Sequence, residues 1–185
     1  MLPPAASQWT ESRSRGTLPA MFTSATYLRL RLRTASDDEA ILAMGAPLFA
    51  PYSKSPRRVL QAMIQEAGAD TLVAFDKETP AGFFILSYTE LGRPYGPWEA
   101  PKIARLNAIG VRRDAQGTGV GSLLLERAES HALSEGACVM VLLTGETNYR
   151  ARQLFESTGY RYTLPVDGVY KNGQRALSMT KVLDV

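Results

Sequence analysis

One short segment of the chain combines residue types that can hold an anion. Residues 116–122, here called the glycine loop, contain three glycines at alternate positions: Gly117, Gly119 and Gly121. Glycine has no Cβ, so a ligand can approach such a backbone closely. An apolar stripe with helical spacing follows, and the unpaired N–H groups of a helix's first turn attract negative charge. The glycine loop is therefore a candidate diphosphate site, with Arg112 and Arg113 beside it to add positive charge.

Two common nucleotide-binding patterns fit the glycine loop poorly. The P-loop requires Gly-Lys-Ser/Thr at the start of its helix, whereas Gly121-Ser122 has no lysine. The dinucleotide fingerprint is G-x-G-x-x-G, whereas this loop is G-x-G-x-G, and the following apolar run CVMVLLT contains no acid to bind a ribose. From the residues alone, a tight turn with a purely structural role remains open.

The composition excludes several other kinds of chemistry. The chain has 185 residues, a net charge of +3, one cysteine (Cys138) and one histidine (His131). A disulfide framework and a Cys/His zinc site are excluded, and we expect no metal. The slight positive charge does not justify predicting a nucleic-acid partner. No apolar stretch reaches the ~20 residues of a membrane span, so we expect no membrane partner and a cytoplasmic location.

The chain is expected to form one domain behind an unstructured leader. Residues 1–22 are rich in Pro, Ser and Thr and show no periodicity, so they predict a disordered leader, or sequence upstream of a start at Met21 instead of Met1. Residues 23–185 are of the length and composition of a single domain.

Periodicity predicts the elements that position the glycine loop. Residues 27–33 alternate strictly, with Leu28, Leu30 and Leu32 on one face and arginines on the other. We predict further strands at 71–75, 81–91, 103–111, 138–144, 160–164 and 176–182. Helices are predicted at 36–48, 55–67 (with Ala67 ending its apolar stripe before Gly68), 117–135 and 147–158. This order indicates a single α/β (α+β) domain, a mixed sheet with helices on both faces.

Two motifs in this order resemble those of the GNAT superfamily, the GCN5-related N-acetyltransferases. Gln116-x-x-Gly119-x-Gly121 is similar to the family's Q/R-x-x-G-x-G/A motif, and residues 148–160, NYRARQLFESTGY, are similar to its N-x-x-A-x-x-L-Y-x-x-x-G-F segment. The order of the elements also matches from residue 27 to residue 182. The resemblance implies a GNAT-like domain, a mostly antiparallel mixed sheet with a central splayed parallel strand pair.

The resemblance also implies an acyltransferase that uses acetyl-CoA and transfers the acetyl group directly to a primary amine. The cofactor would bind where the strands at 106–111 and 138–144 splay apart. Arg150 or Arg152 would reach its nucleotide end, unless both lie on a solvated helix face. The implied cofactor-binding residues are Ile109, Val111, Gln116, Gly117, Thr118, Gly119, Val120, Gly121, Ser122, Asn148, Ala151 and Phe155.

The catalytic groups that the resemblance implies are incomplete in this chain. A backbone N–H near Val111 would stabilise the oxyanion. The tyrosine that commonly protonates the leaving thiolate falls at Phe155, which has no hydroxyl, and the glutamate often found in the preceding strand falls at Asn107 or Ala108. The usual acid and base therefore do not carry over.

Substitutes for the missing acid and base lie near the second motif. Glu146 is a candidate base, or else an acid of the first turn of the next helix. Tyr149 is a candidate hydroxyl, as are Tyr160 and Tyr162, although each of these tyrosines can equally serve packing. A chain of water molecules can replace them.

The acceptor amine is not specified by the sequence. Tyr52, Tyr95 and Trp98 fall where GNAT proteins shape the acceptor site, and we expect them to contact the substrate. No acidic patch favours a polyamine, so a peptide amine or a small neutral amine is expected. The alternative is a coenzyme A-binding regulatory module without transferase activity, and a homodimer is left open.

Overall fold

The computed structural model describes residues 28–183, and the predicted leader (1–22) lies outside them. Within this range, seven strands form one sheet in the order β1-β2-β3-β4-β5-β7-β6, with β4 parallel to β5 and every other pair antiparallel. The strands are β1 (Arg29–Leu32), β2 (Asp70–Asp76), β3 (Thr79–Glu90), β4 (Lys102–Val111), β5 (Ala137–Gly145), β6 (Arg161–Val166) and β7 (Ala176–Val182). The predicted fold class and order of elements are confirmed.

In the described part of the chain, four α-helices cover the sheet: α1 (Asp38–Phe49), α2 (Pro56–Ile64), α3 (Val120–Ser134) and α4 (Tyr149–Ser157). Asn148 caps α4, because its side chain accepts a hydrogen bond from Ala151 N–H. Pro56 stands at the first position of α2, where its missing N–H costs nothing. Within the described range, none of the helices has the length and apolar character needed to cross a membrane.

Alternation along the central strands divides the core into two parts. Val73, Phe75, Phe83 and Ile85 face α1 and α2, whose Ile41 and Leu60 are buried against them. The intervening residues Leu72, Ala74, Phe84 and Leu86 face α3, where Leu124, Leu125 and Ala128 are buried. Because successive side chains of a strand point to opposite faces, β2 and β3 carry nearly continuous apolar runs and hold helices on both sides.

A bulge in β4 separates the parallel strand pair. Ile85 pairs with Ala108 and Leu86 with Leu106, so Asn107 is an extra residue without a partner on β3. The pairing of β4 with β5 ends at the neighbouring pair Leu106–Leu142, while β4 continues along β3 and β5 continues along β7. A bulge bends its strand and increases the local twist. The two parallel strands therefore part from Asn107 onward and leave a gap between their carboxyl ends.

Three local predictions were wrong. Leu32, expected on the buried face, is 58% exposed, because β1 is an edge strand that ends there. Ala67 is exposed, because α2 ends at Ile64 and Gly68 belongs to the turn that follows. The helix expected from residue 117 begins at Val120, since Gly117 and Gly119 have φ of +84° and +90° and cannot continue a right-handed helix.

Candidate active site

The gap between β4 and β5 is the centre of the candidate site. It contains a cavity of about 110 Å³, here called the strand gap. Its walls come from both parted strands, the α1–α2 connection, α4 and the β6–β7 loop. The residues that line it include Asn107, Ile109, Thr144, Gly145, Asn148, Phe155, Tyr52 and Tyr170.

The glycine loop lies beside the strand gap and is tied to β4 and α4. The Gln116 Nε2 donates to Val111 O at 3.0 Å, and Arg150 Nη1 donates to Gln116 Oε1 at 3.1 Å. Gly119 is the N-cap of α3, and the first hydrogen bond of that helix joins Leu123 N–H to Gly119 O at 3.1 Å. The N–H groups of the first turn therefore have no acceptor within the helix, so the loop has the geometry of an anion site.

A larger cavity of about 520 Å³, here called the cofactor cleft, joins the glycine loop to the strand gap. Ten of the twelve sequence-predicted cofactor residues line it: Ile109, Val111, Gln116, Gly117, Gly119, Gly121, Ser122, Asn148, Ala151 and Phe155. Thr118 does not line the cleft, since its hydroxyl donates to Ala115 O at 2.7 Å. Val120 does not either, because its side chain is buried in the core under α3.

Arg150 is the cation that lines the cofactor cleft. The sequence placed Arg112 and Arg113 beside the anion, but neither lines this cavity. Arg112 Nε contacts Asp114 Oδ1 at 2.6 Å and its Nη1 donates to Pro80 O, so its charge is already compensated. Arg152 is likewise engaged, with Glu146 O at 3.0 Å and with Glu156.

The backbone N–H of Val111 faces away from β3, and Val111 lines the cofactor cleft. Arg112 N–H donates to Ala81 O near the start of β3. The N–H groups of successive residues in an extended chain point to opposite sides, so the Val111 N–H points away from β3. The Val111 carbonyl, on the same side as its N–H, accepts from Gln116. A backbone donor at this position is suited to a developing oxyanion.

The predicted catalytic side chains Glu146 and Tyr149 do not line the strand gap or the cofactor cleft. Glu146 Oε2 lies 3.2 Å from the Arg175 guanidinium and forms an ion pair with it. Tyr149 is 71% exposed and stacks against Arg152. Tyr160 is fully buried, and burial raises the pKa of its hydroxyl, which contacts Met140 Sδ. None of these groups reaches the gap.

Tyr52 brings a hydroxyl to the strand gap. It follows α1, and it lines both the strand gap and the cofactor cleft. A Cβ added to Gly145 would lie 3.0 Å from its Oη and 2.7 Å from its ring, so glycine at this end of β5 makes room for it. Burial raises the pKa of Tyr52, and the polar side chain of Asn148 lowers it by a smaller amount. The phenol is therefore protonated at neutral pH.

The other two predicted acceptor residues lie elsewhere. Tyr95 and Trp98 pair with each other in their own loop, through Tyr95 N–H and Trp98 O at 2.9 Å, and they line neither cavity. Tyr170, which the sequence reading missed, stacks on Tyr52 with ring centroids 4.6 Å apart. It lies in a turn-rich segment, and no local pattern distinguishes it from an ordinary loop tyrosine.

Comparison with known proteins agrees with this geometry. The model of the Acetyltransferase (GNAT) family matches residues 37–160. The chain is 26% identical over 142 residues to a mycothiol acetyltransferase of Kocuria rhizophila, an alignment that covers 74% of this chain and 46% of that protein. The chain thus spans about half the length of this relative.

Two further proteins are similar over most of their length. The uncharacterized N-acetyltransferase YhfO of Bacillus subtilis is 30% identical over 142 residues, covering 72% of this chain and 89% of that protein. The ribosomal-protein-S18-alanine N-acetyltransferase from Escherichia coli has a similar structure, with a TM-score of 0.67 at 19% identity, covering 86% of this chain and 96% of that one. At that identity the structural likeness concerns the fold.

Proposed function

The chain belongs to the GNAT acetyltransferase family, and on this premise we propose that it transfers an acetyl group from acetyl-CoA to a primary amine. One observation carries the proposal: the cofactor cleft is lined by the glycine loop and by Tyr52, and it shares Tyr52, Ile109 and Asn148 with the adjoining strand gap. The two cavities together offer a place for a diphosphate at the loop and a place for a thioester and its leaving sulfur beside the Tyr52 side chain.

The cofactor cleft fits the two parts of coenzyme A. The first-turn N–H groups of α3 and the Arg150 guanidinium suit its phosphates. Ile109 and Val111 lie beyond the last pair between β4 and β5, so their backbone groups on the gap side have no partner in β5. An extended pantetheine arm can pair with them as an added strand does. The residues therefore fit the cofactor.

Bound in this way, acetyl-CoA supplies a thioester whose carbonyl carbon is attacked by the amine, with loss of the thiolate. The Val111 N–H donates to the carbonyl oxygen as negative charge develops there. Tyr52 donates its proton to the departing sulfur, and the phenolate then takes up, through solvent, the proton that the attacking nitrogen loses, so that the phenol is restored. Phe155, at the usual position, has no hydroxyl for this role. The Asn148 Oδ1 already accepts from Ala151 N–H, so its amide NH₂ can donate to the phenol oxygen and leave the phenol proton free for transfer.

The lining of the strand gap favours an acceptor that is partly neutral in solution. Among the described residues that line this cavity, none is a carboxylate, a histidine, a lysine or an arginine. An α-amino group with a pKa of ~8 is about 10% neutral at pH 7, whereas a lysine side chain with a pKa of ~10.4 is less than about 0.1% neutral. A site without a basic side chain therefore handles an α-amine far more easily.

A coenzyme A-binding module without transferase activity is the second candidate. It is favoured by Phe155, which has no hydroxyl, and by the engagement of Glu146 with Arg175. In that case, cofactor binding would persist without turnover.

Two measurements test the proposal. Acetyl-CoA is expected to raise the melting temperature, because it binds only the folded protein, and thiol release is then followed with peptides that have free α-amines. The variant Gly119→Val is expected to abolish the thermal shift. Its control is Gly136→Val, which imposes the same backbone strain (φ +82°) at a turn where nothing lies within 4 Å. No shift with the unaltered protein at millimolar acetyl-CoA refutes the proposal, and a shift without turnover favours the binding module.

A further inference from the structure

A second groove opens beside the strand gap, between the α1–α2 connection and the β6–β7 loop. This groove, here called the basic groove, has a volume of about 600 Å³. The two segments that form it are held together, since Asn172 Nδ2 donates to Pro51 O at 2.6 Å. The Tyr52–Tyr170 stack joins the basic groove to the strand gap, because both rings line both cavities. The basic groove and the strand gap therefore adjoin at these two rings.

Three cations line the basic groove: Lys54, Arg58 and Lys171. The described residues that line it include no aspartate or glutamate. Between residues 28 and 183, no ion pair or hydrogen bond engages the three cationic groups. The neighbouring Arg57 differs, since its Nη2 lies 2.6 Å from Glu39 Oε2 and its charge is compensated. The groove therefore presents an uncompensated positive charge.

The remaining lining of the basic groove is mainly apolar. Phe49, Val59 and Met63 contribute side chains from α1 and α2, and Val169 contributes one from the opposite loop. Glu66, two residues beyond the end of α2, has its Oε2 3.5 Å from Asn107 Nδ2 and does not line the groove. The groove thus offers an apolar surface with cations around it.

From this combination we infer that the acceptor is an amine that also carries a negatively charged group, joined to the amine by an apolar segment. The inference rests on the proposed function, which places the amine near Tyr52. Lys54 is two residues from Tyr52, which is at most ~7 Å along the backbone, and Lys171 adjoins Tyr170. The amine and the anion are therefore separated by on the order of 10 Å once the length of a lysine side chain is included. A peptide with an acidic residue just after its N-terminus has this chemistry, as does a short peptide with a free carboxylate.

The test uses four peptides with the same N-terminal α-amine. Three are tripeptide amides, leucyl-X-phenylalanine amide, in which X is glutamate, glutamine or arginine. The fourth is the glutamine peptide with a free carboxylate at its C-terminus. A charge-assisted contact in a partly enclosed groove predicts a kcat/KM about tenfold higher for the glutamyl than for the glutaminyl amide. We expect the arginyl amide to be the poorest acceptor, and the advantage of the acid to shrink as salt is raised. A high rate for the free acid would show that a terminal carboxylate serves as well as a side chain.

The charge-reversed variant Arg58→Glu, combined with Lys54→Glu, is expected to favour the arginyl over the glutamyl amide. The control is Arg127→Gln, which removes an exposed charge on α3 outside the groove and should leave the order unchanged. Thermal shifts of the acetyl-CoA-loaded protein by the same peptides give a second readout that does not require turnover. Equal rates, or a preference that survives Arg58→Glu with Lys54→Glu, overturn the inference while the transferase assignment stands. If acetyl-CoA produces no thermal shift, the proposed function itself is refuted.

Discussion

The Tyr52→Phe variant tests the chemistry proposed for the strand gap. The ring stays, so the stack on Tyr170 at 4.6 Å and the contacts with Gly145 are retained. Only the hydroxyl that we propose as the proton donor to the leaving sulfur is lost. We expect kcat to fall while KM for acetyl-CoA changes by less than about twofold, because the contacts that bind the substrate in its ground state are unchanged.

The size of the loss follows from the leaving group. A positioned general acid contributes about 10²–10⁴-fold. A thiol has a pKa of ~8.5 and leaves tolerably well as an unprotonated thiolate, so the contribution should lie at or just below the lower end of this range. We expect a fall in kcat of about 30- to 100-fold, which corresponds to about 2–3 kcal/mol. The Tyr52 side chain is only half-buried, so loss of its hydroxyl should change the free energy of unfolding by less than about 1 kcal/mol.

The pH dependence provides a second readout. Burial raises the pKa of Tyr52 above its usual value of 10.0, so the phenol remains a proton donor through pH 9 and above. The rate of the unaltered enzyme should therefore rise with pH as the acceptor amine loses its proton, without an alkaline decline below about pH 10. Thiol release measured from pH 6.5 to pH 9.5 checks this profile.

A restored hydroxyl provides the matched comparison. Phe155→Tyr places a phenol on α4 against the same strand gap, and in the Tyr52→Phe background it should recover at least about tenfold of the lost rate. Tyr95→Phe removes a hydroxyl outside the cleft and should have no effect. A kcat within twofold of the unaltered enzyme for Tyr52→Phe would refute the role of this residue. If kcat of Tyr95→Phe falls by the same factor, the loss in Tyr52→Phe would reflect a general effect on folding and not the chemistry of the strand gap.

The remaining predictions concern charged groups. Glu146→Gln should lower kcat by less than about threefold, because its carboxylate pairs with an arginine outside the strand gap; a hundredfold loss would reinstate it as the base. Arg150→Gln should raise KM for acetyl-CoA about three- to tenfold with kcat unchanged, whereas Arg152→Gln should leave KM unaltered. Asp37→Asn should cost about 2 kcal/mol of the free energy of unfolding, measured in urea, because Asp37 is buried and bound by both Arg31 nitrogens at 2.7 and 2.9 Å. The Arg31 guanidinium holds the pKa of Asp37 well below its usual range. The contribution of the ion pair to the free energy of unfolding is therefore present above the unfolded-state pKa of ~3.9 and is lost as the pH falls from there toward the folded-state pKa. If the stability difference between Asp37→Asn and the unaltered protein persists undiminished at pH 2–3, the ion pair is not its source.

The fold could be predicted largely from the sequence because its signals are local. Alternation in β1, the apolar runs of β2, β3 and β5, and the caps at Pro56 and Asn148 all depend on neighbours a few residues apart. The glycine loop was recognisable for the same reason, since a helix start and its missing side chains can be read from adjacent positions. The errors occurred where burial depends on contacts with distant parts of the chain, as for Leu32 in the edge strand β1.

The proposed catalytic groups depend on contacts between residues that lie far apart along the chain. Tyr52, Asn148 and Tyr170 meet across more than a hundred residues, and Lys54 and Lys171 come together in the same way. Nothing in the residues around Glu146 reveals that Arg175 binds it. Asn107 likewise has the composition of an ordinary strand residue, yet its bulge parts β4 from β5.

Sequence alone therefore determined the order of the elements, the glycine loop and the family resemblance, because hydrophobic period, capping and glycine content act over a few residues. Tertiary structure decided which hydroxyl lines the strand gap, which arginine lines the cofactor cleft and which sign of charge lines the basic groove. Those properties arise only when loops distant along the chain are brought together over one bulged strand, and no local pattern encodes that closeness.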